Sequence, residues 1–217
     1  MNEGKQKDIR LAKKWPASKV RGCLRRKDRA QLVRFLADRH RERFFEPIEY
    51  IAKAKGNEQG FGFSVMALCS LLIETIQCYR DGLPTTNGGE LGHLRNFKKV
   101  PVAYQIPADL AVNGREEFRR FFVRYRGDFP GIMPTAFYRK VRNGILHQGQ
   151  TKGGWTLRKQ GSVVCDPANK IIYRDQFARR LNHCFDAYLK ELETHTWDRP
   201  IWTNATRKIW WLIRLSR

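Results

Sequence analysis

The chain has 217 residues, of which 41% are hydrophobic and 12% aromatic. This is enough apolar material to bury a core, which excludes a globally disordered protein. Lysine and arginine number 42 against 21 acidic residues, so the formal net charge is +21. A surface this positive favours a polyanionic partner, and nucleic acid is the commonest one because its neutralised phosphates release counterions. An anionic membrane surface and a ribosomal or architectural role remain as alternatives.

The cysteines and the N-terminus favour a reducing, cytoplasmic setting. No C-x-x-C spacing occurs, which argues against a zinc site or a disulfide framework. The N-terminal residues lack the apolar segment of a signal peptide, and no stretch approaches 18 apolar residues. We therefore expect a soluble cytoplasmic protein with no membrane span, no metal and no other cofactor. The five cysteines are expected to act as small apolar residues: Cys23, Cys69, Cys78, Cys165 and Cys184.

The chain opens with a basic segment and a first predicted helix. Residues 1–27 are rich in lysine and arginine and are interpreted as either a solvated arm or a disordered leader. Asp28 is placed to cap a helix, and Pro47 should end or kink that helix. One face of the helix carries three apolar residues, Leu32, Phe35 and Leu36.

The strongest helix prediction covers Phe61 to about Arg80. Apolar residues recur there at helical spacing and the flanking residues are also apolar, so the helix should be mostly buried. Residues 81–112 contain many glycines and prolines and predict a long connection, with a short helix near Leu91 to Phe97. Asn113 followed by Glu116 resembles a capping box, which should open the next helix.

Three further elements complete the chain. A helix is predicted from about Pro134 to Gln148, a β-hairpin over Ser162–Arg174 with its turn at Pro167 to Lys170, and an amphipathic helix from Asp175 to about Glu193. The tail from Trp197 is aromatic and basic, and we expect it to pack against the helices. The predicted organisation is a basic N-terminal arm (1–27), an all-α domain with a small hairpin before its last long helix (28–196), and a C-terminal tail (197–217).

The helix around Arg142 divides into two faces at about 100° per residue. An apolar arc should face the core, and it contains Phe137, Tyr138, Val141, Gly144 and Ile145. The opposite arc contains Arg139, Arg142, Asn143, Leu146 and His147. A single leucine among polar groups is typical of an interface, where a partner covers the leucine and the polar groups line a cleft.

Arginine, amide and imidazole groups on one helix face suit the cleavage of RNA without metal. In that reaction the 2′-hydroxyl attacks the adjacent phosphorus, so a base must take the hydroxyl proton and an acid must protonate the leaving 5′-oxygen. Histidine serves in either role near neutral pH, and an arginine fork matches the oxygens of the phosphorane. A single histidine cannot be base and acid at once. A two-fold dimer would supply the second one.

The string FYRKVRNGILHQG, with Arg142-Asn143 followed by His147, resembles the R-x4-H motif of HEPN-domain proteins, in which a polar residue commonly follows the arginine. The stretches ALCSLLIETIQCYRDG and HQGQTKGGW are also similar to bacterial members of this superfamily. The resemblance covers roughly residues 61–192. It implies an antiparallel helical bundle that dimerises. For active members it implies an endoribonuclease that leaves a 2′,3′-cyclic phosphate, often in a toxin or phage-defence context.

The resemblance also implies roles for particular residues. Arg142 and His147 would be the catalytic pair, Asn143 the polar partner, and Glu74 an orienting acid from a neighbouring helix. Cellular RNA such as tRNA and a cognate antitoxin or regulator are the implied partners. Family toxins silenced by nucleotidyltransferase antitoxins often carry tyrosine two positions after the histidine, where this chain has Gly149, so that form of control is not implied. Two neighbouring basic residues are candidate RNA contacts, Arg139 and Lys140.

Less specific interpretations stand beside these. His147 could bond the last carbonyls of its helix, since Gly149 suits a C-terminal stop. Glu74 could form a structural salt bridge elsewhere, since buried acids need partners. The main functional alternative is a non-catalytic nucleic-acid-binding module, which the charge alone motivates. A third is a membrane-surface or protein-interaction role for the aromatic tail.

Overall fold

The computed structural model describes residues 8–53 and 61–216. The described residues are mostly helical, as predicted, with two small sheets. The α-helices are α1 (Ala17–Arg26), α2 (Arg29–His40), α3 (Glu46–Lys53), α4 (Phe61–Asp81), α5 (Gly88–Arg95), α6 (Gly114–Arg124), α7 (Pro134–Ala136), α8 (Asn143–Gln148), α9 (Arg174–Thr194) and α10 (Pro200–Leu215). Two π-helical turns, Arg41–Phe45 and Phe137–Arg142, join α2 to α3 and α7 to α8, and a 3₁₀ turn covers Val102–Tyr104. The strands are β1 (Arg10–Ala12), β2 (Trp15–Pro16), β3 (Thr156–Arg158), β4 (Cys165–Asp166) and β5 (Ile171–Tyr173).

Helix α4 lies at the centre of the fold. It packs against α3, α6, α8, α9 and α10, so neighbours cover most of its circumference. The prediction of a mostly buried helix from Phe61 is confirmed, because a helix that is apolar on nearly every face is stable only when other elements cover it. Its buried residues also include the polar side chains of Glu74, Gln77 and Arg80.

By length and composition, α4 is also the one helix of the described residues that could cross a membrane, with a mean hydropathy of 1.6 over its most apolar stretch. This is weak evidence, because the core helix of a soluble protein passes the same test. Since 56% of that stretch is buried inside the fold, packing gives a sufficient reason for the apolar composition.

Pro47 lies inside a helical segment, where a proline is unusual. α2, the first π-helical turn and α3 follow one another without a break, and Pro47 is the second residue of α3. Proline lacks an N–H group, and its ring crowds the carbonyl four residues earlier. The wider π-helical turn at Arg41–Phe45 accommodates this, with the Glu46 N–H bonded to the Arg41 carbonyl. The predicted interruption therefore takes the form of a change in helical hydrogen bonding.

Residues 8–26 belong to the folded core, which corrects the interpretation of residues 1–27 as a solvated arm or disordered leader. β1 and β2 pair antiparallel, and α1 follows directly. Leu11, Trp15 and Val20 are buried, and the Trp15 indole N–H donates to Asp38 at 2.7 Å. The lysines of this segment occupy exposed positions on an amphipathic helix. The sequence analysis missed this helix because the high density of charge suggested a solvated segment. Residues 1–7 of the predicted arm lie outside the described residues.

The predicted C-terminal tail is the last helix of the core, α10. It packs against α1 and α4, and the rings of Trp202 and Trp211 are buried. The Trp202 indole N–H donates to the Leu192 carbonyl at 2.9 Å. The expectation that the aromatic tail packs against the helices is confirmed, while its separation as an appendage is wrong. These two rings are not accessible for stacking on bases or for insertion into lipid.

The hairpin predicted before the last long helices is confirmed by the antiparallel pairing of β4 with β5. β3 adds a third strand, parallel to β5, which the sequence analysis missed. A three-residue strand carries too little alternation of apolar and polar residues to be recognised. The sheet lies between the candidate helix Pro134–Gln148 and α9 in the chain order, and β3 contacts α4.

The connection between α4 and α6 is anchored on α10. It carries the predicted short helix as α5, which Asn87 caps by accepting from the Glu90 N–H at 3.2 Å. The Tyr104 carbonyl accepts from the Trp211 indole at 3.0 Å, and the Tyr104 ring stacks on Trp210 at 5.4 Å between centroids. These contacts hold the connection against α10.

The five cysteines are free thiols and all are buried. Their use as small apolar residues is therefore confirmed. Burial raises the pKa of Cys165 to about 11 and that of Cys78 to about 12. Thiols in this state are poor nucleophiles, because the reactive form is the thiolate.

Candidate active site around Arg142

The candidate site lies on one continuous helical segment formed by α7, the second π-helical turn and α8. The predicted division into two faces is confirmed, since Phe137, Val141 and Ile145 are buried while Arg139 and His147 are exposed. The π-helical turn ends at Arg142. Such turns are rare and occur often at functional sites, which draws attention to this arginine independently of the sequence motif.

The guanidinium of Arg142 is held by Glu74 and Asn143. Its Nε–H donates to Glu74 Oε1 at 2.8 Å, and Nη2 lies 2.7 Å from the same oxygen. Nη1 donates to Asn143 Oδ1 at 3.0 Å. The structure therefore brings Glu74 from α4 to Arg142 across 68 residues of sequence, and the alternative of a salt bridge elsewhere is not what the fold forms.

This arrangement leaves donor capacity on the guanidinium. An arginine side chain carries five N–H groups. Within the part of the chain that the structure describes, Glu74 and Asn143 engage at most three of them. The side chain of Arg142 is 17% exposed and that of Glu74 is 7% exposed. A partly exposed guanidinium held in one orientation can present its remaining N–H groups to phosphate oxygens.

Tyr138 is a member of this site that the sequence analysis assigned only to the core face. The Cζ atom of Arg142 lies 5.4 Å from the centroid of its ring, within the range of a cation–π contact. Gly114 admits the ring, because a Cβ at that position would lie 2.9 Å from the Tyr138 hydroxyl. Helical spacing explains an aromatic residue by packing alone, so this contact carries no sequence pattern of its own.

His147 lies in the last turn of α8 and is exposed. Among residues 8–53 and 61–216 it has no hydrogen bond or ion pair. The helix is closed instead by Gly149, at φ +68, whose N–H bonds the Ile145 carbonyl at 3.0 Å. The alternative in which His147 bonds the last carbonyls is not what the fold forms. The structure thus joins Arg142 to Glu74 and Asn143 but leaves the imidazole of His147 uncommitted.

Gly144 fixes the loop that follows His147. A Cβ at Gly144 would lie 2.5 Å from the Gln150 carbonyl oxygen and 3.1 Å from the Thr151 Cα. The backbone of residues 150–151 therefore crosses the helix where a side chain is missing. The Lys152 N–H then donates to the Lys140 carbonyl at 2.7 Å. Arg139 and Lys140, the predicted RNA contacts, are both exposed, and Lys140 lies next to this loop.

A second buried carboxyl belongs to Glu117 on α6. It is 2% exposed, and Oε1 accepts from the Asn113 N–H at 3.4 Å. Its Oε2 is buried without a hydrogen-bond partner among the described residues. Burial, reinforced by the charges of Asp81 and Glu74, raises the pKa of Glu117 to about 7. Glu117 thus takes the capping-box role that the sequence analysis gave to Glu116.

Replacing Glu117 with glutamine should stabilise the protein at alkaline pH. The folded-state pKa of about 7 lies above the ordinary 4.5, so the unfolded chain ionises first. Wild-type stability should fall between about pH 4.5 and pH 7 and then stay level, a loss of about 3 kcal/mol for this group. The amide cannot ionise and should remove that fall. Urea denaturation of both proteins at about pH 4.5, 6 and 8 measures the difference.

Glu116→Gln is the control for this prediction. Arg119 lowers the pKa of Glu116 to about 2, so its ionised form is favoured in the folded state and the substitution should not stabilise the protein at any pH. Parallel pH profiles for the wild type and Glu117→Gln would show that this carboxyl is not held in its neutral form.

Comparison of the chain with protein-family models, with curated proteins and with solved structures finds no match in any of the three. The likeness of the Arg142 segment to the HEPN motif therefore rests on its residues alone. A function can be inferred only from those residues and from the geometry around Arg142.

Proposed function

We propose that this chain is a HEPN-like, metal-independent endoribonuclease in which Arg142 and His147 act on a phosphodiester of RNA. One observation carries the proposal. A guanidinium oriented by Glu74 and Asn143 keeps N–H groups for a further acceptor, on a helix face whose last turn presents an uncommitted imidazole. The net charge of +21 supports a nucleic-acid substrate.

The proposed reaction is an internal transfer of the phosphodiester. A neutral imidazole takes the proton of the 2′-hydroxyl, whose oxygen forms a bond to the adjacent phosphorus. The bond from phosphorus to the 5′-oxygen breaks, and a protonated imidazole supplies the proton to that oxygen. The products are a 2′,3′-cyclic phosphate and a free 5′-hydroxyl. Arg142 stabilises the charge that gathers on the phosphorane oxygens, while Glu74 and Asn143 are positioning residues that fix its guanidinium.

The second imidazole would come from another copy of the chain. A two-fold dimer that pairs the Arg142 helices would bring two copies of His147 to one cleft. The surface beside the site suits such pairing. Leu71 on α4 is 41% exposed, and Leu146 on the adjacent α8 is only partly buried.

Two leucines and two small polar residues of α4 that the fold does not fully cover form a stripe next to Glu74. At about 100° per residue they fall within an arc of about 60°, and Leu71 lies about 60° from Glu74 around the helix. Thr75 bonds its hydroxyl to the Leu71 carbonyl at 2.7 Å, so it needs no polar partner across an interface. The stripe consists of Ser64, Leu68, Leu71 and Thr75.

Leu71→Arg should dissociate the dimer and abolish cleavage. A guanidinium in the middle of an apolar interface would be desolvated without a partner, which should weaken association at least about tenfold. Sedimentation and light scattering over a concentration series measure the mass. Val102→Arg is the matched control, because Val102 is 84% exposed and lies on the 3₁₀ turn away from α4 and α8. A wild-type protein that stays monomeric at high concentration while cutting RNA would contradict the two-copy site.

Incubation of RNA with the full chain in excess EDTA tests the proposed reaction. Cleavage should proceed, and the products should carry 2′,3′-cyclic phosphate and 5′-hydroxyl ends. A matched oligonucleotide with 2′-deoxy or 2′-O-methyl sugars should bind and remain intact, because it lacks the attacking hydroxyl. Cleavage that requires a divalent metal, or cutting of the 2′-O-methyl strand, would reject the proposal.

A non-catalytic nucleic-acid-binding module is the second candidate. Arg142 is paired with a largely buried carboxylate, and one exposed histidine follows it on the same helical segment. A structural ion pair with no catalytic role would have the same geometry. That candidate predicts salt-sensitive binding of RNA and DNA alike and no product ends in any buffer.

A further inference from the structure

Three lysines surround the loop that follows His147. Lys140 precedes the loop on the π-helical turn, Lys152 lies within it, and Lys170 follows it in the turn between β4 and β5. Backbone hydrogen bonds join the three segments. The Lys152 N–H donates to the Lys140 carbonyl at 2.7 Å, and the Thr156 N–H donates to the Lys170 carbonyl at 2.8 Å. The lysines are therefore brought together by the fold, although they span 30 residues of sequence.

Two of the side chains lie against consecutive glycines. A Cβ at Gly153 would lie 3.3 Å from Lys140 Cδ and 3.6 Å from its Nζ. A Cβ at Gly154 would lie 3.8 Å from Lys170 Nζ, and this ammonium donates to the Gly153 carbonyl at 3.2 Å. Both ammonium groups touch the same glycine, so they lie within roughly 10 Å of each other. A side chain at Gly153 would crowd Lys140, whereas the approach of Lys170 to Gly154 is an ordinary van der Waals contact.

The side chain of the third lysine, Lys152, lies against the helix at Gly144. Lys152 Cγ would lie 3.3 Å from a Cβ at Gly144, so its stem passes over the helix one turn after Lys140. Lys140 and Lys170 are exposed, and Lys152 is half-buried. The aliphatic parts of these side chains therefore pack against the backbone, and the ammonium groups of the two exposed lysines are accessible to solvent.

In the described ranges, no carboxylate lies within ion-pair distance of any of the three ammonium groups. Asp166, at the start of the same turn, is engaged by the side chain and backbone of Asn169 at 2.7 and 3.1 Å. Positive charges gathered in this way repel one another, and an anion in their midst relieves that repulsion.

We propose that Lys140, Lys152 and Lys170 form a second phosphate site, which binds another backbone phosphate of the RNA strand held by Arg142. The inference rests on the proposed function, because it takes the strand that Arg142 would cleave as its ligand. At about 100° per residue, Lys140 projects from nearly the opposite side of the helix to Arg142, and the loop begins after Gln148, at the end of the turn that carries His147. A strand seated at Arg142 would reach the cluster by passing the C-terminal end of this helix. The cluster is a binding and positioning site that takes no part in proton transfer.

Binding of a fluorescent single-stranded 2′-O-methyl RNA by anisotropy tests this site without cleavage. The variant Lys140→Gln/Lys152→Gln/Lys170→Gln should bind at least about tenfold more weakly at about 50 mM salt. Each lost phosphate contact on a single strand lowers the slope of log K against log salt by about 0.7, so three contacts should lower it by about 2. The variant with arginine at the same three positions should restore both quantities.

The matched control removes three charges from elsewhere on the surface. Lys13→Gln/Lys98→Gln/Lys190→Gln changes the net charge equally, at three exposed positions outside the cluster. It should leave affinity within about twofold of the wild type. Equal losses in the two triple variants would mean that only overall charge matters and would overturn the proposal. Thermal unfolding of both variants checks that each is folded.

The outcome for this site is separate from the outcome for the nuclease. Selective loss of binding in the cluster variant together with absence of cleavage by the wild type in EDTA would uphold the phosphate site and reject the ribonuclease. Cleavage by the wild type together with unchanged binding by the cluster variant would uphold the ribonuclease and reject the phosphate site. A 2′-deoxy oligonucleotide in the same assay should lose affinity in parallel with the RNA, because the contacts are to phosphate.

Discussion

Replacing His147 with alanine should lower the rate of RNA cleavage in EDTA by about 10²- to 10⁴-fold, the range expected when a general acid or base is removed. The fold should not suffer. His147 is exposed and forms no hydrogen bond or ion pair with the described residues, so the free energy of unfolding should change by no more than about 0.5 kcal/mol. Single-turnover cleavage of a labelled RNA measures the rate, and urea denaturation measures the stability.

His183→Ala is the matched control for this substitution. His183 is also an exposed helical histidine, with a side chain that is 67% exposed on α9, and it should be dispensable for cleavage. In the proposed setting of a toxin or defence effector, expression of the wild type should slow cell growth and expression of His147→Ala should not. Cleavage by His147→Ala at the rate of the wild type would remove the imidazole from the mechanism.

Glu74→Ala should destabilise the fold by about 2–3 kcal/mol, because it leaves the Arg142 guanidinium largely buried without its main acceptor. Cleavage should also fall, since the guanidinium would no longer be held in one orientation. Glu74→Gln keeps an oxygen for the Nε–H and should cost less stability. Urea denaturation gives the free energies, and kcat and KM for RNA separate lost orientation from lost binding.

A double-mutant cycle isolates the ion pair from the packing of the side chains. If Glu74 stabilises the fold through Arg142, removing Glu74 from an Arg142→Met background should cost much less than removing it from the wild type. Glu116→Ala is a control, because Glu116 pairs with Arg119 on the surface and the substitution should cost far less than Glu74→Ala. Equal costs of Glu74→Ala in the two backgrounds would show that the pair contributes nothing as a pair.

The sequence by itself determined several of the helices and the faces of the candidate helix. Periodic apolar residues predicted α4, α9 and the segment Pro134–Gln148, because one side of each must meet the core and the 3.6-residue period records which side. The Asp28 and Asn113 caps were also predicted, since a cap is a bond between residues three positions apart. These signals depend on residues close together in sequence, so they can be recognised from a single amino-acid sequence.

The tertiary structure decided which residues meet across long stretches of chain. Glu74 pairs with Arg142 over 68 residues, and Lys170 meets the glycines of a loop that begins near residue 149. It also placed residues 8–26 and α10 in the core, although their charge suggested appendages. Composition records the tendency of a segment to be solvated, but burial depends on the neighbours that the fold supplies.

Everything proposed for function depends on the orientation that Glu74 imposes on one guanidinium. The sequence motif identifies Arg142 and His147. The orientation of the Arg142 guanidinium depends on the packing of α4 against its helix, which brings Glu74 into hydrogen-bonding distance. A contact between side chains distant in sequence leaves no periodic pattern in either segment, and the sequence analysis expected Glu74 beside Arg142 only through the family resemblance.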